Sequence, residues 1–89
     1  MLLVEIGFGN FVSAEKIVTM LSPDSAPIKR MISDCRERGL LVDASFGRST
    51  KAVLLMGSGH VILSALSPEE ITARIAELDQ DGRKNRHEG

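Results

Sequence analysis

Ser22 to Gly39 reads SPDSAPIKRMISDCRERG, and it is the clearest helix in the chain. Ser25 stands where an N-cap hydroxyl accepts from the first free backbone amides. Pro27 falls in the first turn, where a missing N–H costs nothing, and Gly39 supplies the left-handed residue with which helices end. Ile28, Met31, Ile32 and Cys35 recur at i, i+3, i+4 and i+7, which makes one apolar stripe. Lys29, Arg30, Asp34, Arg36, Glu37 and Arg38 fill the other faces.

Downstream of this helix, Leu40 to Ser45 (LLVDAS) and Lys51 to Met56 (KAVLLM) flank the loop Phe46 to Thr50 and read as a hairpin. Gly57-Ser58-Gly59 then turns the chain into His60 to Leu66 (HVILSAL). Three strands so close in sequence predict an antiparallel meander. Ser67-Pro68-Glu69-Glu70 opens a second helix with a capping box, and Ile71, Ile75 and Leu78 form its apolar stripe. Upstream, Leu2 to Ile6 reads as a strand closed by the turn Gly7 to Asn10, and Lys16 to Leu21 as another; Phe11 to Ala14 is ambiguous. The expectation is an α+β fold, a small antiparallel sheet of about five strands with two helices. Residues 1–78 form the single domain. Residues 79–89, DQDGRKNRHEG, carry no aliphatic or aromatic side chain and read as a polar, disordered tail.

With 89 residues, three Phe and no Trp or Tyr, burial rests on many modest side chains. Self-association is the expected remedy for so small a core. One cysteine, Cys35, forms no intrachain disulfide, no Cys/His spacing suits a metal, and neither metal nor cofactor is expected. The opening MLLVEIGFGN lacks a basic region and is interrupted by Glu5, so it does not read as a signal peptide, and a cytoplasmic location is expected.

The formal charge of -1 conceals an asymmetry. Residues 16–51 hold seven basic groups (Lys16, Lys29, Arg30, Arg36, Arg38, Arg48, Lys51) against four acidic ones (Asp24, Asp34, Glu37, Asp43), while the flanking segments are acidic or neutral. A polyanion responds to such a local patch rather than to the total.

Other chemistries find less support. Gly7-Phe8-Gly9 begins like a dinucleotide fingerprint but lacks the third glycine, and reads as a turn. Cys35, Asp43 and His60 could make a nucleophile, orienter and base, yet Cys35 sits in an apolar stripe, where a thiol is inert. Glu69 and Glu70 are explained by capping. The helix cations pair with acids at i,i+4 and read first as a solvated face. Arg48 is different: a loop-tip guanidinium with Lys51 three residues on and no acid between Ala44 and Lys51 suits a phosphate. Phe46 beside it reads as core, subunit interface or a wedge into a base step. Three aromatics are too few for a base-stacking single-strand platform.

The segments IGFGN (6–10), SPDSAPIKRMISDCRERGLLVDASFGR (22–48) and HVILSAL (60–66) closely resemble the bacterial extracellular-matrix regulatory protein A (RemA) family. The resemblance implies a non-enzymatic, ring-shaped homo-oligomer of about seven or eight subunits that binds double-stranded DNA and activates biofilm-matrix operons. It further implies that backbone contacts dominate, along a basic surface repeated around the ring. The family's basic residue after its Val-Ser-Ala turn matches Lys16. Its assembly proline matches Pro27, followed by Lys29 and Arg30, and its Gly-Arg-Arg-Thr-Arg loop matches Gly47 to Lys51. The sequence therefore nominates Lys16, Arg48 and Lys51 as principal DNA contacts, Lys29 and Arg30 as a supporting patch, and Pro27 as an assembly residue. Ser49 stands where the family carries an arginine, and Lys16 and Lys51 where arginines are usual, which leaves fewer bidentate contacts. A different class of function, a non-catalytic oligomeric scaffold with a protein partner, is the alternative.

Overall fold

The computed structural model describes the backbone of residues 2–88 and the side chains of residues 2–78. In chain order the elements are β1 (Leu3–Glu5), β2 (Phe11–Ser13), β3 (Ile17–Leu21), α1 (Ala26–Glu37), β4 (Leu41–Asp43), β5 (Ala52–Met56), β6 (Val61–Ser64) and α2 (Pro68–Glu88). The class is α+β, as the sequence implies. Among the described residues the strands number six and form two sheets: the hairpin β1-β2, and a four-stranded sheet ordered β3-β5-β6-β4. The additional strand is β2, in the segment whose propensities are ambiguous. The polar tail expected over residues 79–89 lies outside the described side chains.

The expected meander is corrected in one respect. β5 pairs antiparallel with β6 and with β3, but β4 pairs with β6 in parallel, Leu41 opposite Val61 and Asp43 opposite Leu63. Residues 46–50 are therefore not a hairpin loop; they carry the chain across the end of β6. The reason lies in burial. Within β6, Val61, Leu63 and Ser64 are buried, so this strand takes an interior position, whereas Val42 of the short β4 is 47% exposed and suits an edge. The pairing continues past β4, where the Ala44 amide donates to the Leu63 carbonyl at 2.9 Å.

Strand alternation sorts the core into two layers. Ala52 and Leu54 of β5 face one side, packing with Val4, Ile6, Ala44 and Ile71, with Val12 and Ile75 beside them. Val53, with Val61 and Leu63, faces the other and meets Ile28, Met31, Ile32 and Cys35 of α1. The α1 stripe lies against the sheet as expected, although none of its residues is fully buried. Ile71 of α2 has no exposed surface and contributes about 1.5–3 kcal/mol on area grounds.

Both helix starts follow their sequence signals. The Ile28 amide donates to the Ser25 hydroxyl at 3.4 Å. At α2 the Glu70 amide donates to Ser67 Oγ at 3.1 Å, and the Ser67 amide to Glu70 Oε1 at 3.2 Å, a complete capping box. The Ser67 donors hold the Glu70 carboxyl below its usual pKa, the backbone amide contributing most, with the positive charges of Lys51 and Arg74 adding to the effect. Ser64, fully buried, donates through Oγ to the Ile6 carbonyl at 2.7 Å and accepts from the Leu66 amide at 3.0 Å. This hydroxyl ties the β1-β2 hairpin to the end of β6.

Candidate nucleic-acid interface

Two turns of the same kind meet at the Ser64 end of the sheet. In Gly7-Phe8-Gly9-Asn10 the Asn10 amide donates to the Gly7 carbonyl at 3.0 Å, with Phe8 at φ 56° and Gly9 at φ 75°. In Ser45-Phe46-Gly47-Arg48 the Arg48 amide donates to the Ser45 carbonyl at 3.0 Å, with Phe46 at φ 56° and Gly47 at φ 79°. A closing i to i+3 bond with both central residues at positive φ marks a type I′ turn. Glycine at the second central position fits it; phenylalanine at the first does not, and a bulky side chain there costs about 1–3 kcal/mol. The two rings stack, centroids 5.3 Å apart and planes 26° apart, yet Phe8 is 50% and Phe46 79% exposed.

The base of the second turn is fixed. Ser45 is buried and donates to the Asp43 carboxylate through both its hydroxyl and its amide, the latter at 2.9 Å. Those bonds, the hydroxyl's foremost, hold the Asp43 carboxyl below its usual value of 3.8, and the charge of Arg36 adds to them. Arg48 is thus presented from an anchored support.

Beside the rings lies a cleft of about 540 Å³, lined by Glu5, Phe8, Arg48, Ser49, Lys51 and Arg74 among others. Arg74 Nη1 lies 3.4 Å from Glu5 Oε1 and donates to the Glu5 carbonyl at 3.2 Å, so it is partly neutralised and held in place. Arg48 and Lys51 are exposed and make no ion pair among the described residues. The cleft therefore carries Arg48 without an ion pair and Lys51, whose charge is shared with Glu70 nearby.

The other nominated residues lie elsewhere. Lys16 is exposed at the far end of β5, where its carbonyl accepts from the Gly57 amide at 2.8 Å. Six residue-to-residue steps of extended chain lead from Lys51 to Gly57, roughly 20 Å at ~3.4 Å per step. Lys16 borders a second, largely apolar cleft of about 580 Å³ with Val12, Val42, Met56, His60 and Ile62. Lys29 and Arg30 are exposed on α1, with Arg30 beside Pro27, Met31 and Asp34. Asp34 pairs with Arg38 at 3.4 Å. One protomer thus brings Arg48 and Lys51 together and keeps Lys16, Lys29 and Arg30 apart from them.

The model of the extracellular matrix regulatory protein A-like (RemA-like) family matches residues 3–75. The chain belongs to the RemA-like family. Its relatives include the extracellular matrix regulatory protein A of Bacillus subtilis, 54% identical over 74 residues that cover 83% of each chain. A Synechococcus elongatus protein, provisionally designated a regulatory protein, is 62% identical over 73 residues, 82% of this chain and 84% of the relative. One from Dictyoglomus thermophilum with the same designation is 57% identical over 81 residues, 91% and 95% of the two chains. These names support a regulatory role for this RemA-like chain.

Two features of this RemA-like site escape the sequence reading. Arg74 enters it from α2, far along the chain, with no local signal. The Phe8–Phe46 stack does leave a trace, since both residues begin a Phe-Gly dipeptide in a turn context. The imagined thiol, imidazole and carboxylate have separate partners: Cys35 packs in the α1 layer, His60 Nδ1 lies 2.8 Å from Ser58 Oγ, and Asp43 serves Ser45. Among the described residues no helix is long and apolar enough to cross a membrane.

Proposed function

We propose that the chain is a cytoplasmic regulator that binds duplex DNA as a ring-shaped homo-oligomer and activates extracellular-matrix (biofilm) genes without catalysing a reaction. The observation that carries this reading is the cleft in which Arg48, making no ion pair among the described residues, stands with Lys51 and Arg74. A phosphodiester backbone fits it, because each phosphate replaces released counterions with a fixed cation. Arg48 and Lys51 serve one phosphate region, and Lys16, roughly 20 Å away on a ~3.4 Å rise, serves another point on the DNA path. Lys29 and Arg30 add to the basic field. Pro27 pre-sets the first turn of α1 at an exposed position suited to assembly. Leu3, Phe11, Val18 and Val42, between 47% and 70% exposed, are the apolar surface that assembly would cover.

The test is retardation of a duplex across a salt series, with oligomer mass measured alongside. The wild type is expected to bind any duplex at low salt and to run well above 9.7 kDa. With three or four subunits engaged, Arg48→Ala should lower the slope of log affinity against log salt by about three units, at ~0.9 per phosphate. Its melting temperature should stay unchanged, because exposed charges contribute little to folding. No retardation of any duplex at low salt would reject DNA binding and leave the protein-binding scaffold, which the exposed apolar side chains also suit.

A further inference from the structure

Phe46 combines three properties that rarely coincide. Its backbone is at φ 56° in a turn whose first central position favours Asn, Asp or Gly. Its ring is 79% exposed, so no burial offsets that cost. It is nevertheless held in one place, since Phe8 stacks on it at 5.3 Å from a second turn of matching geometry. The support beneath is rigid as well: Ser45 is anchored on Asp43, and the Ile6 carbonyl next to the first turn is tied to buried Ser64. Fold stability alone would select a different residue at position 46. The stack on Phe8, at about 0.5–1.5 kcal/mol, is the one folding return on strain of about 1–3 kcal/mol, and the imbalance points to a function of the exposed ring.

Its neighbours indicate what the ring meets. Phe8 lines the cleft shared with Arg48, Lys51 and Arg74, and Arg48 is two residues from Phe46 in the same turn. An apolar ring flanked by cations is the combination with which DNA-kinking proteins hold the backbone and open a base step. A second copy docking this face upon itself would instead set Arg48, Lys51 and Arg74 against their own counterparts.

We propose that Phe46, backed by Phe8, is a wedge that inserts at a base step of the duplex whose phosphates Arg48 and Lys51 hold, unstacking the step and bending the DNA. This rests on the DNA-binding reading above and adds the mode of contact. Pyrimidine–purine steps, which unstack most easily, are the preferred sites.

Phe46→Asn is the decisive variant, because Asn suits the turn and removes the ring without touching a charge. Duplexes carrying 2-aminopurine at a central TA step, and a donor–acceptor pair at their ends, report unstacking and bending. The wild type should brighten the 2-aminopurine and shorten the end-to-end distance. Phe46→Asn should keep the oligomer mass and at least the wild-type melting temperature, lose both optical responses, and bind about tenfold more weakly, the scale of one stacked base. Its salt slope should equal that of the wild type, since no phosphate contact is lost. Phe46→Leu, which retains an apolar wedge, should restore much of the bend. The proposal is overturned if Phe46→Asn bends and binds DNA like the wild type, or if its oligomer mass falls, which would make the ring pair a contact between copies. A wild type that binds without either optical response overturns the wedge alone; one that retards no duplex rejects DNA binding itself.

Discussion

At its Lys51 end, β5 opens into a cleft bordered by two strained aromatic turns and three cations; at its Met56 end it opens into an apolar cleft with Lys16 as the single cation. The same strand, buried at Ala52, Val53 and Leu54, separates the two. The first end is fixed by hydrogen bonds from buried hydroxyls, Ser64 to Ile6 and Ser45 to Asp43, whereas the second has the exposed Ser58–His60 pair. Directional bonds at one end and apolar surface at the other suit different tasks: preorganised contact with a polar ligand, and association of copies. Lys16 belongs by charge to the first task and by position to the second.

The strongest way to break this contrast is to remove charge in pairs, first within one end and then across both. Arg48→Ala with Lys51→Ala should abolish retardation at physiological salt. Two cations in one cleft share a local field, so the pair should be non-additive. Arg48→Ala with Lys16→Ala should be additive within about 0.5 kcal/mol, because sites more than ~10 Å apart rarely couple. Affinities from the four members of each cycle give both coupling energies. Strong coupling between Arg48 and Lys16 would mean that neighbouring copies bring the two ends together.

Much of this molecule is legible locally. The helix caps at Ser25 and Ser67, the stripes on α1 and α2 and the turn at Gly7 to Asn10 each depend on residues a few positions apart, and each stands where the sequence places it. The parallel pairing of β4 with β6 is different in kind. It depends on a competition for the sheet interior, which β6 wins through burial on both faces, and nearest-neighbour reasoning favours the shorter connection. The loop of Arg48 is legible for its charge and misread for its connection, while Arg74 reaches the cleft only because α2 packs against β1.

A smaller effect tests the bonded end. Ser64→Ala leaves the Ile6 carbonyl and the Leu66 amide without their buried partner, a loss of about 1–3 kcal/mol in denaturant unfolding. It should also loosen the Phe8 turn against the Phe46 turn. DNA affinity should fall more than for a substitution of equal cost in the α1 layer, such as Ile32→Val. Equal affinities in the two variants would show that the Ser64 bond serves stability alone.

The smallest expected effect concerns Asp43, whose folded carboxyl lies below 3.8 through the Ser45 hydroxyl, the Ser45 amide and Arg36, in that order. A carboxyl depressed on folding contributes stability that is present above its unfolded value and lost as pH falls through the folded one. Acidification below about 4 should therefore release the base of the Arg48 turn while the helices and the β5-β6 pair persist, because neither depends on this carboxylate. Asp43 is an exposed residue, so solvent screening keeps its contribution under about 1 kcal/mol. Asp43→Asn separates charge from geometry: the amide oxygen still accepts from Ser45, but nothing titrates. The variant should match the wild type at pH 7 and show a weaker loss of stability between pH 5 and pH 3, read from unfolding midpoints at each pH. Identical acid profiles for the two proteins would place the acid sensitivity at another carboxylate, Glu70 in the α2 capping box being the next to test, since its pKa is also lowered on folding.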